Sequence, residues 1–185
     1  MVGRRFVKRQ LSVVVLAVFV TSSSLAQSED DEREERLGVQ VGAGVTIPTL
    51  DGSGQLETGF HLSGTAAFKI VTHLEFTPRA EFHTMKAAGG RFYSFMAGAD
   101  LRGLFGSKHS DLLYVLLGGG PGFVSFPGYY GAGTVHENKP YINAGLGYII
   151  KTRSQADVFL EFRYVNIFIA GHYISYVPLT IGFRQ

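Results

Sequence analysis

The sequence predicts an all-β chain: an eight-stranded antiparallel up-and-down transmembrane β-barrel, preceded by a cleavable signal peptide. Three observations predict it. Apolar and polar residues alternate with a period of two through eight consecutive segments, which is the pattern of extended strands with two unlike faces. Charge within the strand bodies keeps to one parity. The chain opens with a basic, then apolar, then small-residue stretch of the kind that directs export.

Composition sets the bounds. The chain has 185 residues, enough for one domain with a real interior. It has no cysteine, which excludes a disulfide framework and any thiolate metal site. Its 24 glycines follow no three-residue period, so collagen is excluded.

Arg4, Arg5, Lys8 and Arg9 form a basic head, "LSVVVLAVFV" over 11–20 an apolar core, and "TSSSLAQ" a small-residue site. Cleavage is expected after Ala26, because ten apolar residues are too few for a membrane-spanning helix. The segment holds four of the 17 basic residues and none of the 15 acidic ones. Its removal leaves 13 basic against 15 acidic residues, a net charge of −2. The remaining basic residues are scattered and balanced, so no nucleic-acid partner is expected. "SEDDEREER" over 28–36 cannot bury anything and reads as part of an acidic flexible tail over 27–36.

The barrel domain is expected over 37–185. The first segment is 37–48, "LGVQVGAGVTIP". The second, 58–71, sets Phe60, Leu62, Gly64, Ala66, Phe68 and Ile70 against His61, Ser63, Thr65, Ala67 and Lys69. The third, 73–85, contains "LEFTPRAEFHT". Alternate positions there separate Leu74, Phe76, Pro78, Ala80 and Phe82 from Glu75, Thr77, Arg79, Glu81 and His83. The fourth, 91–105, sets Tyr93, Phe95 and Leu101 against Ser94, Met96, Asp100 and Arg102. The fifth, 112–124, is apolar on both parities; by analogy with the sixth, Leu113, Val115, Leu117 and Phe123 face outward, and Tyr114, Gly118 and Gly120 inward. The sixth, 140–151, sets Ile142, Ala144, Leu146 and Tyr148 against Tyr141, Asn143, Gly145 and Gly147. The seventh, 157–165, sets Val158, Leu160, Phe162 and Tyr164 against Phe159, Glu161 and Arg163. The eighth, 174–184, sets Val177, Leu179, Ile181 and Phe183 against Tyr176, Pro178, Thr180 and Arg184.

The charges in the strand bodies are Lys69, Glu75, Arg79, Glu81, Asp100, Arg102, Glu161, Arg163 and Arg184, five positive and four negative. A soluble sandwich hides its apolar face and needs no charge balance outside. A membrane barrel inverts this, and enclosed charges must pair. A nearly neutral set on one parity fits the inverted case. Strands of about ten residues suit a tilted crossing, and closure removes the sheet edges that lipid forbids. Tyr93, Tyr148, Tyr164 and Phe183 suit interfacial girdles. With the N-terminus periplasmic, the outer connections are 49–57, 86–90, 125–139 and 166–173. Taken together they are longer than the inner ones, at 72, 106–111 and 152–156, which is the usual pattern of outer-membrane barrels.

The stretch "FLEFRYVNIFIAGHYISYVPLTIGFRQ" resembles the last hairpin of small bacterial outer-membrane β-barrels of the OmpA/OmpX-like group. Glu161, Arg163, Tyr164, Val177, Pro178, Leu179, Thr180, Gly182 and Phe183 carry the resemblance, which covers 37–185. It implies a porin-like integral protein of a Gram-negative cell envelope. Its partners would be outer-membrane lipid and the barrel assembly machinery, with Phe183 as the aromatic that machinery reads. Arg184 and Gln185 follow Phe183, so the chain departs from a pattern ending in phenylalanine.

His61 and Ser63 in "FHLSGT" are similar to the His-x-Ser strand of lipid A deacylases, where Asn follows the serine; here Gly64 does. The strand register turns both side chains inward, away from a lipid substrate, so a lumen hydrogen-bond pair is expected. Lys69, Glu75, Arg79, Glu81, Asp100, Arg102, Glu161 and Arg163 are expected to form an interior ion-pair ladder, since an eight-stranded lumen is just wide enough to fill with side chains. His83, His109, His136 and His172 fall at strand ends or in connections, and no spacing reads as a metal site. "GGGPG" over 118–122 lacks the helix and lysine of a phosphate loop and reads as a strand feature. The expected protein is a monomeric, cofactor-free, non-enzymatic barrel with a structural, envelope-integrity or surface-interaction role, a filled polar interior and no wide pore. The alternatives are a lipid-modifying enzyme and a secreted soluble lipocalin-like barrel.

Overall fold

The computed structural model describes residues 37–49, 56–106, 111–127, 134–152, 155–169 and 172–185. The signal peptide expected over 1–26, the tail expected over 27–36 and His109 lie outside the described residues. The strands are β1 (Leu37–Pro48), β2 (Gly59–Val71), β3 (Leu74–Ala87), β4 (Gly90–Phe105), β5 (Leu112–Pro127), β6 (Thr134–Ile150), β7 (Asp157–Ile169) and β8 (His172–Arg184). They close into one barrel in chain order, each antiparallel to the next. β8 returns to β1 in a register that sets Val41 against Phe183 and Gly44 against Thr180. One rim carries both chain ends of the barrel and is called the terminal rim; the other is the loop rim.

The wall has the polarity that alternation predicts. Phe60, Leu62, Phe68, Phe76, Phe95, Leu101, Leu146, Leu160, Phe162, Ile181 and Phe183 are exposed on the outside. Glu75, Arg79, Glu81, Asp100, Arg102, Glu161 and Arg163 are buried inside. On β5, Leu113, Val115, Leu117 and Phe123 face out and Tyr114 faces in. Tyr93, Tyr148, Tyr164 and Phe183 all stand outward.

Several strands run further than alternation indicates. The connection expected over 125–139 is largely ladder. β5 continues to Pro127 and β6 begins at Thr134, paired in register from Pro121–Pro140 to Pro127–Thr134. β7 reaches Ile169 and β8 begins at His172. β3 and β4 are joined across Ala88 and Gly89, with Gly89 at φ 84°, a left-handed turn position that glycine takes without penalty. At 17 residues, β6 is about 55 Å long, well beyond a bilayer apolar band of about 25 Å even when tilted. The weak alternation within 125–139 conceals the paired part of this hairpin.

Glycines admit rings to the narrow interior. A Cβ on Gly147 would lie 2.1 Å from the Tyr114 ring, and one on Gly42 would lie 2.9 Å from Phe159. Gly147 therefore allows Tyr114 to reach the middle of the lumen.

Candidate functional site

The inward parity gathers ionic residues that lie far apart in sequence. Glu161 is their node. It accepts hydrogen bonds from Arg79 Nη1 at 2.8 Å and Nη2 at 3.1 Å, and from the Tyr114 hydroxyl at 2.8 Å. It also pairs with Arg163 Nε at 2.9 Å and with Arg102 at 3.6 Å. Arg79 donates Nε to Asp100 at 2.7 Å and Nη1 to Glu81 at 3.1 Å. Arg163 pairs with Glu81. Asn143 donates to the second Asp100 oxygen at 3.0 Å. Toward the terminal rim, Glu75 accepts from Arg184 at 3.2 Å and faces Arg102 at 3.6 Å. The Arg102 guanidinium lies over the Tyr114 ring, 4.3 Å from its centroid, which suits a desolvated cation.

Four guanidinium groups thus meet four carboxylates. Buried ions are tolerable only when paired and hydrogen-bonded, and each carboxylate here has at least one arginine. Lys69 stands opposite Glu75 in the β2–β3 register and is partly buried. Phe183 is on the outer wall, 60% exposed, between Val41 of β1 and Val158 of β7.

A second polar group adjoins this belt. Thr46 Oγ1 lies 3.1 Å from His61 Nδ1 and 3.0 Å from His83 Nδ1. His61 Nε2 reaches the Thr180 hydroxyl at 2.9 Å, and His83 Nε2 reaches Glu81 at 3.3 Å. The imidazoles stack with centroids 5.2 Å apart. Thr46 has one proton, so it can donate to only one ring and must accept from the other. The two rings are therefore held in opposite Nδ1 protonation states. A nitrogen–proton correlation spectrum of ring-labelled protein is expected to show one Nδ1–H and one bare Nδ1 for this pair. Two rings with the same Nδ1 state would contradict the bridge.

The structure corrects two expectations. His83 is not at a strand end but wholly buried within β3. Nor is the interior polar throughout. Toward the loop rim, Met85, Phe92, Met96, Val124, Tyr141, Val165, Ile167 and Tyr176 form a buried apolar layer. Toward the terminal rim, Leu104, Tyr114, Leu116, Ile149 and Phe159 form another. Glu161, Arg79, Glu81 and Arg163 lie below the first layer, whereas Glu75, Arg102 and Arg184 stand beside the second. Val165 and Ile167 share the inward parity of Glu161 and Arg163, so following that parity past 165 would have revealed the upper layer. His136 stands on the outer face of β6, stacked on Phe123 at 5.7 Å.

His61 and Ser63 form neither the lumen hydrogen-bond pair expected of them nor a lipid-facing dyad. His61 is buried and bonded to two threonines. Ser63 donates instead to the Gly42 carbonyl at 3.5 Å. A serine nucleophile needs a base in reach of its hydroxyl, and the imidazole is engaged elsewhere.

No protein-family profile and no curated relative matches the chain. Solved structures do. Neisserial surface protein A is similar with a TM-score of 0.67 at 17% identity, over 80% of this chain and 95% of that one. The N-terminal β-barrel domain of Pseudomonas aeruginosa OprF gives 0.52 at 11% identity, over 80% and 97%. Ail, the attachment invasion locus protein of Yersinia pestis, gives 0.51 at 16% identity, over 80% and 98%. The chain has the fold of the small eight-stranded outer-membrane β-barrels, the group that its last hairpin resembles.

Proposed function

We propose that the chain is an integral outer-membrane protein with a structural or surface-interaction role, a filled lumen and no wide pore. One observation carries this reading. The network of Glu161, Arg79, Glu81 and Arg163 is capped on the loop-rim side by the buried Met85–Phe92–Tyr176 layer. Water and ions would have to cross that apolar packing to traverse the barrel. An eight-stranded wall leaves room for side chains rather than for an aqueous channel.

In this reading outer-membrane lipid covers the outward wall, and the protein works as a monomer. Phe183, exposed on the last strand, is the aromatic offered to the barrel assembly machinery. The β5–β6 hairpin, paired as far as Pro127–Thr134, extends past the apolar band on the loop-rim side, where it can meet partners. The ionic residues serve as a lumen ladder that fixes the wall from inside. Engagement of His61 with Thr46 and Thr180 weighs against a lipid-modifying enzyme. An ionic interior, in place of an apolar cavity, weighs against a lipocalin-like carrier.

Planar-bilayer recording tests the sealed lumen. The folded protein is expected to insert without stepwise conductance. Regular ohmic steps reproduced across preparations would overturn the reading.

A further inference from the structure

On the outer face of the β3–β4 hairpin, Lys86 and Arg91 are direct partners across the ladder. Like charges so placed repel. Lys86 reaches Glu57 at 3.2 Å, while Arg91 is exposed and has no ion-pair partner among the described residues. Two cations against one carboxylate leave this spot short of negative charge. It also has a definite height. One ladder step below are Thr84 and Tyr93, and below them Phe82 and Phe95. Phe82 and Tyr93 stack with centroids 6.1 Å apart. Stacked aromatics on an outward face mark the interface where acyl chains meet headgroups, so the two cations stand at headgroup level.

The wall beside them is indented. An outward groove of about 530 Å³ is floored by Ala43 and Gly44 and flanked by Phe60, Leu62 and Phe82. Thr84 lines its upper end. Lys86 follows two residues later on the same face of β3, about 7 Å further toward the loop rim. An apolar trough therefore runs up to the foot of an undercompensated cationic pair.

We propose that this part of the wall binds a phosphomonoester-bearing lipid of the leaflet on the loop-rim side. Lys86 and Arg91 clasp its phosphate, and one acyl chain lies in the groove over Ala43 and Gly44. Arginine suits the phosphate because its planar fork can donate two parallel hydrogen bonds, and lysine adds a mobile point charge. The inference rests on the membrane placement proposed above.

The test uses the refolded barrel with phosphatidic acid and phosphatidylcholine of identical acyl chains as probes. Bound lipid is counted by native mass spectrometry, after a heat-modifiability gel confirms that each variant is folded and embedded. The wild type is expected to retain phosphatidic acid over phosphatidylcholine by roughly tenfold. The double variant Lys86→Ala/Arg91→Ala is expected to retain the two equally. Ala43→Phe fills the groove and is expected to lower retention of both lipids while sparing the preference. An embedded wild type with no preference, or a double variant that keeps it, would overturn the clasp. Retention unchanged in Ala43→Phe would overturn the groove. A wild type that never embeds would instead overturn the membrane reading, so the two failures are distinguishable.

Discussion

Replacing Glu161 with alanine is expected to lower barrel stability by about 3–5 kcal/mol, the cost of leaving buried charge uncompensated. No other described side chain in the lumen holds so many partners. Arg79, Arg163 and Arg102 all pair with it, and Tyr114 donates to it. Without it, Glu81, Asp100 and Glu75 remain for four guanidinium groups inside a wall that admits little water. Arg102 fares worst, since its remaining carboxylate, Glu75, is 3.6 Å away and also serves Arg184. Urea unfolding of vesicle-embedded protein measures the change. Glu161→Gln, which keeps the shape and a carbonyl acceptor for Tyr114, is expected to fall between the wild type and Glu161→Ala. A loss below about 0.5 kcal/mol for Glu161→Ala, the range of an ordinary surface substitution, would show that the arginines are already solvated.

Leu146→Arg is expected to cost about 2–4 kcal/mol, as an arginine does near the bilayer midplane on the outside of a barrel. Leu146 lies between Gly145 and Gly147 on β6, 51% exposed, opposite Phe162. Phe162 stands between Glu161 and Arg163 on β7, so Leu146 is level with the ionic belt. No protein atom needs to move to admit the longer chain, and the cost comes from the surrounding hydrocarbon alone. The same titration reads it. A change within about 0.5 kcal/mol would mean that this face meets water.

Much of the architecture is legible in the sequence because the period of two is enforced by two different solvents. At Leu74–His83 every second residue stands on the apolar outer wall and every other one faces the polar lumen, so the faces separate on sight. At β5 that contrast fails. Leu116 points inward into an apolar layer while its neighbours Val115 and Leu117 point outward, so both parities look alike. The upper reach of the β5–β6 hairpin is hidden for another reason, since Val124, Phe126 and Val135 share their face with Glu137, so neither face reads as uniformly polar or apolar. The ionic residues are legible as a set, but their pairing is not. Arg79 and Glu161 are 82 positions apart, and only barrel closure and strand register decide that they meet. The same is true of Thr46, which lies between two histidines from different strands. His83 reads as a strand-end residue in the sequence, whereas the strand continues past it to Ala87.

The central claim is that hydrocarbon lies against the outward apolar wall and the charges are enclosed. The chain has no cysteine, so single nitroxide labels can be placed without background at Leu146, Phe162 and Leu179. Power-saturation spectra of the vesicle-embedded protein would then compare access by molecular oxygen, which concentrates in hydrocarbon, with access by a water-soluble nickel chelate. The account predicts high oxygen and negligible nickel access at all three positions. High nickel access there would contradict it.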